Sequence, residues 1–85
     1  MANVGKIDGL RVVIYSNDHI PAHVHVIGGG CEAIFNLNCQ NGQPELRENY
    51  GFSTHKLSKI EAELTSRLTH FCEEWSKIHG HRQRS

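Results

Sequence analysis

The residues best able to do chemistry lie close together. Asp18-His19-Ile20-Pro21-Ala22-His23-Val24-His25 puts a carboxylate and three imidazoles within eight positions. Two histidines at i and i+2 of a β-strand project from one face about 7 Å apart, near enough to share a ligand. A divalent transition metal takes neutral imidazole nitrogens, so His19, His23 and His25 form a candidate ligand set, which Asp18 or Glu32 could complete. The same groups suit acid–base work on a phosphodiester. His23, His25, Asp18 and His19 are then the candidate catalytic residues, Arg11 or Tyr15 stabilises charge, and nucleic acid is a candidate partner. A third reading asks less of them: surface histidines, with Asp18 and His19 shaping a loop through side-chain-to-backbone hydrogen bonds. Pro21 fixes its own φ and biases Ile20 toward extended backbone, which would hold His19 at a defined distance from the strand.

Positioning these groups requires a small sheet. Leu10–Tyr15 (LRVVIY) is rich in β-branched residues and reads as a strand. Ser16–Ala22 reads as a loop. His23–Ile27 (HVHVI) alternates as a half-buried strand does. Gly28-Gly29-Gly30 marks a hairpin turn, because glycine takes positive φ at no steric cost. Cys31–Leu37 is the next strand. Asn41-Gly42 marks another turn, and Pro44–Glu48 reads as a short edge strand, since proline cannot donate to a ladder. Register follows from phase. Pairing Ile27 with Glu32 sets Val24 and Val26 beside Phe35 and Ala33, with His25 beside Ile34 and His23 beside Asn36. A one-residue slip would mix polar and apolar faces. Val12 and Ile14 then join the valine face, while Arg11, Val13 and Tyr15 join the histidine face, which is expected to point away from the core.

From Ser53 onward Leu57, Ile60, Leu64, Leu68, Phe71, Trp75 and Ile78 recur at three- and four-residue steps, one stripe of a helix. Ser58 and Glu61 have capping-box spacing, which predicts a start or restart at Ser58. Gly80 is a natural stop. The expected fold is α+β: an antiparallel sheet of three to four strands followed by one long amphipathic C-terminal α-helix. Residues 1–80 form a single domain, and 81–85 (HRQRS) form a flexible basic tail.

Composition narrows the function classes. Nine Lys and Arg balance nine Asp and Glu, so bulk charge gives no argument for a nucleic-acid or membrane surface. The 85 residues allow only a modest core, so any site should be shallow or shared with a partner. The longest apolar run, Val12-Val13-Ile14-Tyr15, is far short of a membrane span, and no membrane association is expected. Met1–Leu10 has no apolar signal-peptide core. Cys31, Cys39 and Cys72 are odd in number and form no CxxC pair, so unpaired thiols in a reducing compartment are expected. These readings place the protein in the cytoplasm. The glycine triplet is a turn and no phosphate loop, since neither a GK[ST] run nor a helix start follows it.

The run Tyr15-Ser-Asn-Asp-His-Ile-Pro-Ala-His-Val-His-Val26 resembles the signature of the small prokaryotic family called domain of unknown function 4160, a DH-x-P-x-H-x-H-V core. The similarity continues through Glu32–Phe35, Glu48–Gly51 and the helix ending in Trp75 and His79-Gly80. Ala22 stands where the family often has proline, and the third cysteine and the basic tail lie outside its pattern. The resemblance implies a bacterial or archaeal cytoplasmic protein. It also implies a small partner protein encoded nearby, in an arrangement like a toxin–antitoxin pair. It places Asp18, His19, Pro21, His23 and His25 on the family motif and brings no established activity. Two classes stay open: an effector with a nuclease-like or metal-binding histidine site, and a non-catalytic module whose histidine face or sheet edge docks a partner.

Overall fold

Two adjacent pairs of positive-φ residues set the start of the sheet. In the computed structural model, which describes residues 2–40 and 42–79, Asp8-Gly9 (φ 51° and 81°) and Gly29-Gly30 (φ 58° and 79°) each close a two-residue hairpin. Such turns twist with the strands they join. Strands β1 (Ala2–Ile7), β2 (Leu10–Ile14), β3 (His23–Gly28), β4 (Cys31–Asn36) and β5 (Glu45–Tyr50) form one antiparallel sheet in the order β1-β2-β3-β4-β5. The fold is α+β, as expected, but the sheet has five strands where three to four were expected.

The missed strand is β1. Its buried positions, Val4 and Ile7, do not alternate, because the register shifts between Asn3 and Gly5 and leaves Val4 as the extra residue. Gly5 gives Phe71 room there: a Cβ at this position would lie 3.2 Å from the ring, a tight contact. The β3–β4 register is the phase-matched one, with His23 opposite Asn36, Val24 opposite Phe35, His25 opposite Ile34 and Ile27 opposite Glu32. β5 is the expected edge strand beyond Pro44, exposed at all six positions.

The single long helix is corrected to two, α1 (Thr54–Ser66) and α2 (Leu68–His79). The start is also corrected. Ser53, not Ser58, is the N-cap, its hydroxyl accepting from the Lys56 N–H at 3.1 Å. The break falls at Arg67 (φ −119°, ψ 25°), directly after two hydroxyl residues that bond back onto the helix. Thr65 donates to the Glu61 carbonyl at 2.9 Å and Ser66 to the Glu63 carbonyl at 3.3 Å. Back-bonding of this kind competes with the helical ladder and bends it. Beyond the break, His70 reaches the Val4 carbonyl at 2.8 Å and the Arg67 guanidinium reaches the Lys6 carbonyl, tying α2 to β1.

The helix stripe does pack on the sheet. Ile60, Leu64, Phe71 and Trp75 are buried against Val12, Ile14, Val24, Val26, Ala33 and Phe35, with Leu57, Leu68 and Ile78 partly buried at the margin. At the far end Lys56 holds Asp8 in an ion pair, and this hydrogen bond lowers the Asp8 carboxyl below its ordinary range.

The cysteine expectation is corrected as well. Cys39 and Cys72 form a disulfide across 33 residues, their Cα atoms 6.1 Å apart, and Cys31 is the free cysteine. Neither spacing nor motif pairs them in the sequence; the docking of α2 beside the β4–β5 connection does. No described helix is long and apolar enough to cross a membrane. Asn41 of the expected Asn41-Gly42 turn, the Gly80 stop and the tail 81–85 lie outside the described residues; Gly42 itself has positive φ.

Leu64 has no exposed surface, whereas Leu68 is half-buried at the helix break. Leu64→Ala should therefore cost about 2–5 kcal/mol in a urea unfolding series, and Leu68→Ala should cost less than Leu64→Ala. Equal costs would mean that the two helices bury their stripe differently.

Candidate metal centre

Strand β3 carries both histidines of the site. The alternation that buries Val24 and Val26 under the helices turns His23 and His25 to the opposite face. That face is less open than the alternation suggests. His23 is only 5% exposed, and Val13, the cross-strand neighbour of His25, is fully buried. The rings lie in an aromatic row. Tyr15 meets His25 edge-on at 4.7 Å, His25 meets His23 at 5.3 Å, His23 meets Trp75 at 5.3 Å, and Trp75 stacks on His79 at 3.9 Å.

The loop after β2 brings the carboxylate to these rings. Tyr15 and Asp18 close a reciprocal turn: the Asp18 N–H donates to the Tyr15 carbonyl at 3.0 Å, and the Tyr15 N–H donates to Asp18 Oδ2 at 3.0 Å. Aspartate stabilises such turns by bonding its own backbone. The result holds Asp18 Oδ2 3.4 Å from His23 Nε2 and 3.4 Å from His25 Nε2. Asp18, His23 and His25 each offer one ligand atom, and all three atoms lie within 4.8 Å of one another.

The other ring nitrogens are already committed. His23 Nδ1 lies 2.8 Å from the Pro21 carbonyl, an acceptor, so Nδ1 carries the proton. His25 Nδ1 lies 2.9 Å from Glu32 Oε2, and the same reasoning holds. Glu32, on β4, pairs with Ile27 of β3 and so stands diagonally from His25, within reach of a long side chain. In neutral rings both Nε2 atoms then present lone pairs to a single carboxylate oxygen. His25 Nε2 is buried with no hydrogen-bond partner. Acceptors facing acceptors in a buried site repel unless a proton or a cation sits among them.

The spacing suits a cation. Ligand atoms about 2.1 Å from one ion in a tetrahedron stand about 3.4 Å apart. A carbonyl or carboxylate on the far nitrogen of each histidine is the usual outer support of a metal-bound imidazole, fixing tautomer and ring orientation.

Of the residues singled out in the sequence, Asp18, His23 and His25 come together and Glu32 supports them. His19 does not join them: it is exposed on the loop, next to Ile20 at 78% exposure and the cis Ile20–Pro21 peptide. Arg11 is exposed and pairs with Ile27, two residue pairs along the ladder from the Val13–His25 pair. Trp75 and His79, which line the row from the helix side, were assigned to the core stripe and the helix end. Their i, i+4 spacing was visible, but not where α2 would lie. Three more buried polar atoms among the described residues lack hydrogen-bond partners: Arg67 Nε at the helix break, His79 Nε2, and Oδ1 of Asn36, the cross-strand neighbour of His23.

The fold and site define a small α+β protein with two helices packed on a meandering sheet and a two-histidine, one-carboxylate cluster built on its middle strand. The chain belongs to the family described as Domain of unknown function (DUF4160), whose model matches residues 9–76. No curated protein and no solved structure matches it.

The geometry makes a direct spectroscopic prediction. Long-range ¹⁵N–¹H correlation of the neutral rings in metal-free protein should show His23 and His25 as Nδ1–H tautomers. The Nε2–H pattern, which free imidazole side chains favour, would contradict the hydrogen bonds to Pro21 and Glu32.

Proposed function

We propose that this protein binds one divalent transition metal ion through His23 Nε2, His25 Nε2 and Asp18 Oδ2. One observation carries the reading: three ligand atoms converge at ion-sharing distances while both Nδ1 atoms are held by acceptors. Three protein ligands leave at least one position for water or substrate, the pattern of catalytic rather than structural sites. A metal so held lowers the pKa of its bound water and makes a hydrolytic nucleophile at neutral pH. The reading is therefore a metal-dependent hydrolase, a nuclease being one example: a phosphodiester would reach the site by way of the ion.

Direct acid–base catalysis by the two histidines is less well supported. The charged groups in contact with the rings are Asp18 and Glu32, both carboxylates, which repel a phosphodiester that no cation screens. Placement in the cytoplasm, as the effector half of a two-gene module with a small partner protein, rests on the family resemblance.

A second reading, partner docking, has one observation in its favour. Strand β5 is exposed along its whole length, including Leu46 and Tyr50, and forms an edge of the sheet. A partner strand could extend that edge. There Glu48 accepts from the Tyr50 hydroxyl, which pushes the Tyr50 phenol up.

Titration calorimetry of chelator-stripped protein with zinc, manganese and nickel, supported by elemental analysis, tests the metal site. The expected result is one ion per chain. His23→Ala, His25→Ala and Asp18→Asn should each weaken binding by more than about 100-fold, and Glu32→Ala by about 10–100-fold, the range for an outer-support residue. His19→Ala should leave affinity unchanged. Binding that survives loss of both His23 and His25 with an intact far-ultraviolet spectrum would end the metal reading. A partner complex unaffected by those variants would favour docking through β5.

A further inference from the structure

A groove lies away from the histidines. It has a volume of about 460 Å³ and opens on the side of α2, lined by Cys39, Leu68, Thr69, Cys72, Ser76 and Lys77. The Cys39–Cys72 disulfide forms part of its wall, and Cys39 is exposed. We propose that Cys39–Cys72 is a thiol–disulfide exchange site for low-molecular-weight thiols of the glutathione class, and that its redox state sets how firmly Trp75 is held against His23.

The chemistry balances without a further reagent. A thiolate from the small thiol attacks the sulfur of Cys39, an exposed residue on the groove wall, forming a mixed disulfide and releasing Cys72 as thiolate. A second small thiolate attacks the outer sulfur of that mixed disulfide and releases Cys39. Two small thiols are oxidised to one small disulfide, the protein disulfide is reduced to two thiols, and the reverse sequence restores it. Access to the attacked sulfur is the main structural requirement, and the open groove provides it.

The coupling follows from where the two cysteines stand. Cys72 lies one helical turn before Trp75 on α2, and Trp75 stacks over His23 at 5.3 Å. Cys39 lies three residues beyond Asn36, the cross-strand partner of His23. Between them, the Leu37 N–H donates to the Ala22 carbonyl at 2.9 Å, joining the end of β4 to the residue just before His23. The disulfide therefore closes a ring that runs through α2, Trp75, His23, Asn36 and Leu37. Reduction opens this ring at its one covalent link outside the backbone. α2 then rests on side-chain packing and on its His70 tie to β1, which holds the helix two residues before Cys72, on the side away from Trp75. The link is absent from the reading of Asp18, His23 and His25 as metal ligands, and it stands or falls separately.

The test uses metal-free full-length protein. Maleimide labelling counted by intact mass should find one reactive thiol per chain after equilibration with oxidised glutathione, and three after dithiothreitol, from the three cysteines present. Fluorescence of the sole tryptophan, Trp75, should shift to the red on reduction and return on reoxidation. Ring resonances of His23 should move in step, while those of His55 on α1 stay fixed. Cys72→Ser should reproduce the reduced state, and Cys31→Ser should behave as wild type. Three reactive thiols under oxidised glutathione would overturn the exchange site. Trp75 and His23 signals identical in both states would overturn the coupling. Loss of the far-ultraviolet helical signal on reduction would also overturn the proposal, by making the bond a staple of the whole fold.

Discussion

β3 is the middle strand of the sheet, hydrogen-bonded on both sides, and its pleat separates two environments. Val24 and Val26 meet the helices; His23 and His25 meet a loop, an aromatic row and two carboxylates. Most of the rest depends on that alternation. A slip of one residue in the β3–β4 hairpin would push imidazoles into a core with no partners for them and expose two valines. The Gly29-Gly30 turn and the Ile27–Glu32 pair make the slip costly, and they also place Glu32 where it can hold His25.

The histidine face is electrostatically unfinished when only the protein atoms are considered. Each neutral ring donates from Nδ1 to an acceptor and turns its Nε2 lone pair to the same oxygen of Asp18. Surface histidines would rotate away from such an arrangement. Here the rings are hemmed in, His25 by Tyr15 and His23 by Trp75, and their Nδ1 atoms are held by acceptors. The local structure thus keeps three acceptors aimed at one point. Either an imidazolium or a shared cation balances them, and these differ in proton count and in metal content. The nearby carboxylates favour positive charge at that point in both cases.

The helices contribute unequally. α1 is a conventional cover for the sheet, capped by Ser53 and buried through Ile60 and Leu64. α2 turns off at Arg67 and serves both faces of the molecule. Phe71 fills the space that Gly5 leaves open in β1. Trp75, one turn on, belongs to the core and also walls the histidine row. A straight helix continuing from Ser66 would not be tied to β1 through Arg67 and His70 as this one is. The hydroxyls of Thr65 and Ser66, unremarkable in the sequence, bond back onto the helix just before the break, a contact that competes with the ladder.

Several parts of this protein were legible in the chain alone. Alternation and β-branching located β2, β3 and β4, and phase alone decided the β3–β4 register, because only one register keeps apolar residues on one face. The helix stripe was visible from Leu57 to Ile78 for the same reason. Asp18, His23 and His25 stood out by type and spacing. β1 was not found, since a bulge at Val4 breaks its period, although Asp8-Gly9 is a strong hairpin signal that could have revealed it. Other features were beyond any local reading. His19 belongs to the same motif as His23 and His25, yet the path of the loop leaves it exposed. The burial of His23 depends on Trp75, 52 positions later in the numbering. The bond between Cys39 and Cys72 depends on how α2 docks. Periodicity reports which side of an element faces the core; it carries no information on which distant element comes to rest beside it. That is decided by packing between elements, and in this protein such packing decides which members of the histidine motif meet.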